Sequence, residues 1–190
     1  MRFEINEIFK SIQGEGSLAG SPATFIRFAG CNLKCPFCDT QHEKVNIVAD
    51  EQDILREIAG SAMVVLTGGE PTIQSDFLEL MQFLTGRTRG ITIAVETNGS
   101  NPYDIAAVAF RPWVHVTVSP KLYNEVEARS ALFASEMKFV YDESHPWEKW
   151  LERTNLPLFI QPLSGNIKPA LDYVLANPKY RLSVQLHKLL

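Results

Sequence analysis

The chain has 190 residues, 45% of them hydrophobic and 21% charged, which is enough apolar material for one well-buried core. Its formal net charge is −4, from 18 basic against 22 acidic side chains. That argues against a nucleic-acid footprint and for a small-molecule partner. No apolar run approaches the roughly 20 residues that span a bilayer, and the start Met1-Arg2-Phe3-Glu4-Ile5-Asn6-Glu7 lacks a signal-peptide core. The protein is therefore expected in the cytoplasm, without membrane contact.

In chain order, residues 11–21 are glycine-rich and polar and are expected to form a loop. Apolar, β-branched runs predict strands at 23–29, 63–67, 90–97, 113–119, 136–141, 156–161 and 181–186. Helical periodicity is expected at 50–59, where Ile54, Leu55 and Ile58 share a face, and at 75–84, where Phe77, Leu78, Leu80, Met81 and Leu84 do. Residues 147–153 and 169–176 are further predicted helices, each with proline near its start. Alternating strands and helices imply parallel β–α units, whose chemistry gathers where the strands end. Five predicted strands do run into polar motifs: Gly30-Cys31, Thr67-Gly68-Gly69-Glu70-Pro71, Glu96-Thr97-Asn98-Gly99, Ser119-Pro120-Lys121 and Gln161-Pro162. The expected fold is α/β, a single domain over 1–190 forming an incomplete TIM-type barrel, since a full eight-unit barrel takes about 250 residues.

All three cysteines fall in Cys31-Asn32-Leu33-Lys34-Cys35-Pro36-Phe37-Cys38. So tight and odd a set suits metal or redox chemistry rather than a disulfide framework. The spacing C-x3-C-x2-C can hold three corners of an iron–sulfur cubane and leave the fourth iron open, with Phe37 as an apolar cover. It can equally hold zinc with His42 as fourth ligand. A zinc site alone leaves the Gly68-Gly69-Glu70, Ser119-Pro120-Lys121 and Gln161-Pro162 motifs without a role.

The cysteine spacing followed by a strand ending in Gly68-Gly69-Glu70-Pro71 resembles the radical S-adenosylmethionine (SAM) superfamily. That resemblance implies a [4Fe–4S] cluster on Cys31, Cys35 and Cys38, whose open iron is chelated by the methionine end of SAM. It implies reductive cleavage to a 5′-deoxyadenosyl radical, with the Gly-Gly-Glu segment lining the methionine end. More narrowly, Glu7–Gly16 (7–16), Phe25–Leu33 (25–33), Cys38-Asp39-Thr40, Thr67–Pro71 (67–71), Glu96–Gly99 (96–99), Ser119–Lys121 (119–121), Glu136–Val140 and Gln161-Pro162 are similar, in order, to the 7-carboxy-7-deazaguanine synthase family. Members of that family convert 6-carboxy-5,6,7,8-tetrahydropterin to 7-carboxy-7-deazaguanine, contracting a ring and losing ammonia, a step that feeds queuosine and other 7-deazapurines.

By that resemblance Ile12, Gln13, Gly14, Arg27 and Thr67 contact substrate, Arg27 through a guanidinium suited to a carboxylate. Gly69, Ser119, Pro120, Lys121, Gln161, Pro162, Leu163 and Ser164 contact SAM. Thr40 contacts Mg²⁺ through its hydroxyl, with Asp39 as a second candidate. Glu15 is either a pterin contact or a solvated acid, and Lys138 either a site residue or a buried stem. His115 is expected to be a core histidine. No side chain is expected as acid–base catalyst, because the cofactor carries the difficult step. A homodimer and an electron donor such as flavodoxin or ferredoxin are implied; in that family the C-terminal residue can reach substrate, and the resemblance leaves open whether Leu190 does so. A glycyl-radical activating enzyme shares the cysteine spacing but does not call for residues 11–16.

Overall fold

The computed structural model of the protein describes residues 1–111, 113–121, 128–141, 155–163 and 166–189. β1 (Phe3–Ile12) runs antiparallel to β2 (Pro22–Phe28) and to β3 (Ile47–Ala49). From β2 onward the strands are parallel: β4 (Met63–Gly68), β5 (Thr92–Thr97), β6 (Val114–Val118), β7 (Glu136–Val140), β8 (Leu158–Gln161) and β9 (Tyr180–Leu182). All join one sheet in the order β3-β1-β2-β4-β5-β6-β7-β8-β9, whose two edges do not pair. This is the expected incomplete barrel.

The period-2 alternation of the strands sorts their side chains onto two surfaces. Val64, Leu66, Ile93, Val95, Val116, Val118, Met137, Phe139, Leu158 and Ile160 face outward and form the main core with the helices. Those helices are α1 (Glu51–Glu57), α2 (Phe77–Arg87), α3 (Pro102–Ala109), α4 (Ala128–Leu132) and α5 (Ile167–Ala176). In α2, Phe77, Leu80, Met81 and Leu84 recur at helical spacing and are all buried. In α1, a reciprocal cap fixes the start: Gln52 N–H and Asp53 N–H donate to Asp50 Oδ1 at 2.9 and 2.8 Å, and Asp50 N–H donates to Asp53 Oδ2 at 3.0 Å.

The alternate residues face the barrel interior. Near its base Ala23, Phe25, Met63, Val65 and Ala94 form a second small core with Phe9 and Leu18. Phe9 and Phe25, paired across β1 and β2, stack with ring centroids 4.9 Å apart. Higher up, the inward positions turn polar: Arg27, Thr67, Glu96, Thr117, Lys138 and Gln161. Register places Arg27 beside Thr67, Glu96 beside Thr117, and Thr117 beside Glu136. Polar groups at this density inside a barrel mark a site rather than a stabilising core.

The structure corrects several expected boundaries. Residues 11–21 are not wholly loop, because Ser11 and Ile12 complete β1 and Gly16–Leu18 form a 3-10 turn. The long strand β1 was not expected. Its register shifts between Ile5 and Glu7, so Phe3 and Ile5 pack outward while Phe9 packs inward, and no single alternation runs through it. The expected strand 181–186 is only the short β9, followed by a 3-10 turn at Leu186–Lys188. Helices α3 and α4 and strand β3 were also not expected, and the expected helix 147–153 lies outside the described residues.

Candidate active site

The C-terminal ends of the parallel strands, the cysteine loop and the segment after β9 enclose a cavity of about 400 Å³. Its wall includes Cys31, Cys35 and Cys38, and all three are free thiols. The loop is shaped locally: Cys38 N–H donates to the Cys35 carbonyl at 3.1 Å, and Leu33 N–H donates to Cys31 Sγ at 3.4 Å. An amide donor aimed at sulfur suits a sulfur that will carry thiolate charge. Burial, foremost, raises the pKa of Cys31 and of Cys35. Metal binding at this loop therefore releases protons. His42 also lines the cavity, yet among the described residues no three His, Cys, Asp or Glu side chains converge as ligands of a single ion.

The Gly68-Gly69-Glu70 turn packs directly under that loop. Gly69 N–H donates to the Phe28 carbonyl at 3.3 Å, and Glu70 N–H donates to the Gly30 carbonyl at 3.0 Å. A Cβ on Gly69 would strike the Gly30 carbonyl oxygen and come within 2.7 Å of Cys31 Cβ, so only glycine permits this approach. Gly69→Ala is expected to push the cysteine loop outward, at a cost of about 1–3 kcal/mol. Thermal melting and retention of iron after reconstitution would both register the loss.

Glu70 does not line the cavity. Its carboxylate is fully buried and accepts from Thr72 Oγ1 and Thr97 Oγ1, both at 2.7 Å, from Thr72 N–H at 3.2 Å and from Asn98 N–H at 2.6 Å. Burial raises its pKa, and these four donors oppose the rise. The acid of this turn thus laces β4 to the end of β5. Asn98 Nδ2 extends the lacing to Asn32 Oδ1, at 3.0 Å, in the cysteine loop.

On the opposite wall Glu96 is held by Gln13 Nε2 and Thr67 Oγ1, each at 2.9 Å. Both backbone groups of Gln13 are already taken, its N–H by the Ser21 carbonyl at 2.8 Å and its carbonyl by Gly20 N–H at 2.7 Å. Its side-chain Oε1 in turn accepts from Glu15 N–H at 3.2 Å. Ile12 lines the cavity, whereas Gly14 turns toward the C-terminal segment, where its carbonyl accepts from Leu186 N–H at 3.1 Å. Arg27 Nε pairs with Glu7 Oε1 at 2.7 Å while its guanidinium lies over the Phe9 ring.

Glu15 is not a solvated acid. It forms a nearly buried ion pair with Lys138 and accepts from Gln185 Nε2 at 2.7 Å. Burial raises its pKa, but the Lys138 charge and hydrogen bond outweigh that and leave it lowered. The Lys138 ammonium is raised, because Glu15 and Glu96 outweigh its desolvation. Lys121 lines the cavity and donates to Ser119 Oγ at 2.8 Å; burial, then the Lys138 charge, lower its pKa.

Ser119, Gln161, Pro162 and Leu163 reach the same wall; Pro120 is buried behind it, and Ser164 lies outside the described residues. Gln161 Oε1 is buried without a hydrogen-bond partner among the described residues. At the cavity mouth Thr40 Oγ1 lies 3.5 Å from Asp39 Oδ1, and Asp39 Oδ2 accepts from Lys188 Nζ at 2.8 Å. Glu96, Gln185, His187 and Lys188 also line the site. None of these four carries an expected contact from the sequence, although Glu96 opens the strand-end motif Glu96-Thr97-Asn98-Gly99.

The radical SAM superfamily profile matches residues 25–155. The 7-carboxy-7-deazaguanine synthase of Bacteroides thetaiotaomicron is 38% identical, covering 100% of this chain and 98% of the relative. The enzyme of the same name from Bradyrhizobium diazoefficiens is 36% identical over 99% of this chain and 98% of its own length. The chain belongs to the 7-carboxy-7-deazaguanine synthase family of the radical SAM superfamily. Its fold agrees, since the crystal structure of QueE from Escherichia coli superposes with a TM-score of 0.78 at 29% identity, covering 97% of this chain and 94% of that one. Streptococcus suis SuiB bound to S-adenosylmethionine shares the fold alone, with a TM-score of 0.58 at 17% identity over 81% of this chain and 44% of its own.

Membership in the synthase family implies a [4Fe–4S] cluster and SAM, and the donor set fits both. Three free thiols share one loop on the cavity wall, and the orphaned Gln161 acceptor and the Lys121 ammonium face the same space.

Proposed function

We propose that this cavity converts 6-carboxy-5,6,7,8-tetrahydropterin to 7-carboxy-7-deazaguanine with loss of ammonia. The observation that carries the reading is that one cavity gathers the three thiols, the Gly69 turn, the Gln13–Glu96–Thr67 set and Arg27. Cys31, Cys35 and Cys38 would hold the cluster. Gly69, Ser119, Pro120, Lys121, Gln161, Pro162, Leu163 and Ser164 would hold SAM, with the Lys121 ammonium against its carboxylate and Gln161 Oε1 accepting from a SAM donor. When bound, the reduced cluster and SAM supply a carbon radical that removes one hydrogen atom from substrate.

The protein's own part is to bind, orient and exclude water. Glu96, pinned by Gln13 and Thr67, presents a fixed acceptor to a flat, donor-rich heterocycle. Ile12 and the stacked Phe9 and Phe25 rings supply the apolar wall. Arg27 would exchange its pairing with Glu7 for the substrate carboxylate. The Glu15–Lys138 pair keeps a fixed charge arrangement in the cavity wall without releasing a proton.

The proposal extends to Mg²⁺ at the Thr40 hydroxyl, with the Asp39 carboxylate in reach of the same ion. It includes a one-electron donor such as flavodoxin or ferredoxin, a cytoplasmic setting and a homodimer, the commonest closed assembly. Among the described residues no helix is long and apolar enough to cross a membrane.

The Arg27 assignment is tested by comparing 6-carboxytetrahydropterin with tetrahydropterin lacking the carboxylate. The protein should bind the carboxylated compound at least about tenfold more tightly, and Arg27→Met should erase that preference. Full discrimination by the variant would refute the assignment.

A further inference from the structure

The unclosed barrel is filled from within by residues 13–18. This segment leaves β1, crosses the interior and touches strands far apart in the sheet: Gln13 meets Glu96 of β5, Glu15 meets Lys138 of β7, and Leu18 packs against the small core of Ala23, Phe25, Met63, Val65 and Ala94 near the base. Its tightest turn, at Gly16 and Ser17, does not reach the cavity. Gly16 N–H donates to Ser183 Oγ at 3.1 Å, and Ser17 N–H donates to Glu136 Oε2 at 2.9 Å.

Glu136 lies below the cavity wall, facing inward from the start of β7, and is 2% exposed. Its other oxygen accepts from Thr117 Oγ1 at 2.9 Å, and His115 Nε2 stands 3.4 Å from Oε2. A carboxylate this deep costs several kcal/mol of desolvation, and a well-packed apolar residue would be cheaper. The geometry gives it a different use. Gly16 adopts φ 66°, in the left-handed region, and a Cβ there would strike the Glu136 carboxylate. Turn and carboxylate therefore interlock, and among the described residues the backbone donor on this acid is Ser17, in the same segment as Gln13 and Glu15.

We infer that Glu136 is the positioning residue of the substrate-binding segment, fixing from beneath the path of residues 13–17 that presents Gln13 and Glu15 to the cavity. It would act without touching substrate, SAM or cluster. This rests on the reading of Ile12 and Gln13 as substrate contacts.

The test uses reconstituted full-length protein and compares Glu136→Ala, Glu136→Gln and Thr117→Val with the parent. Glutamine can still accept from Ser17 N–H while its amide donates to the Thr117 hydroxyl. Alanine is expected to raise the KM for 6-carboxytetrahydropterin tenfold or more, glutamine to recover most of that loss, and Thr117→Val to fall between glutamine and the parent. Cluster content, SAM affinity and kcat at saturating pterin should stay within about twofold, and amides of residues 13–18 should exchange faster with solvent. Should the alanine variant fail to fold, the glutamine and valine variants carry the comparison. An unchanged pterin KM, or equal loss of SAM and pterin binding, would overturn the inference. Failure of the parent itself to bind the pterin would instead overturn the functional reading beneath it.

Discussion

Replacing any one of Cys31, Cys35 or Cys38 by alanine is expected to abolish cluster retention and 5′-deoxyadenosine formation together. The three thiols sit on one short loop, and each would bind a different iron. Removing one leaves a corner of the cubane to water, and the site has no spare ligand of the same softness nearby, since these are the only cysteines in the sequence. Folding should survive, because Cys31 and Cys35 are only partly buried and Cys38 is exposed. Iron and sulfide analysis, read beside the far-ultraviolet spectrum, checks both halves. A cysteine variant that keeps full deoxyadenosine production would contradict the cluster assignment.

The second large effect is expected at Glu70, for the opposite reason. Glu70→Ala removes the acceptor of two hydroxyls and two backbone amides in a site with no water access. Each buried donor left without a partner costs about 1–3 kcal/mol, so a loss of about 3 kcal/mol or more is expected. For a chain of this length that lowers Tm by roughly 6–12 °C. Because Glu70 also joins β4 to the end of β5 and, through Asn98 and Asn32, to the cysteine loop, SAM affinity should fall with stability. Glu70→Gln keeps one oxygen and should lose less of both. Calorimetry and SAM binding measured on the same samples test the coupling. A Glu70→Ala variant with unchanged Tm but lost SAM binding would mean that the acid touches the ligand directly.

Much of this site is legible in the sequence because a parallel barrel gathers its chemistry at strand ends, and strand ends can be read. The runs ending at Gly30-Cys31, Thr67-Gly68-Gly69, Ser119-Pro120-Lys121 and Gln161-Pro162 each follow an apolar, β-branched stretch, and the structure brings all of them to one cavity. What the sequence hides is long-range pairing. Lys138 and Glu15 are 123 residues apart, and nothing local shows that two ordinary surface-type side chains meet as a buried pair. Neither does the motif Gly68-Gly69-Glu70 reveal that its acid turns away from the cavity into the wall. β1 escapes because its register shift moves the apolar positions from one face to the other midway. Helix α3 was detectable: Asn101 caps it by accepting from Asp104 N–H, and Pro102 occupies its first turn, both recognised start signals.

The central claim is that this cavity contracts the ring of a carboxylated pterin. The most direct measurement is anaerobic incubation of the reconstituted protein with SAM, a strong reductant, Mg²⁺ and 6-carboxy-5,6,7,8-tetrahydropterin, followed by mass spectrometry. The expected result is 7-carboxy-7-deazaguanine that appears only when cluster and SAM are both present. Deoxyadenosine accumulating without that product would contradict the assigned substrate, and no deoxyadenosine from reduced, cluster-replete protein would contradict the radical chemistry itself.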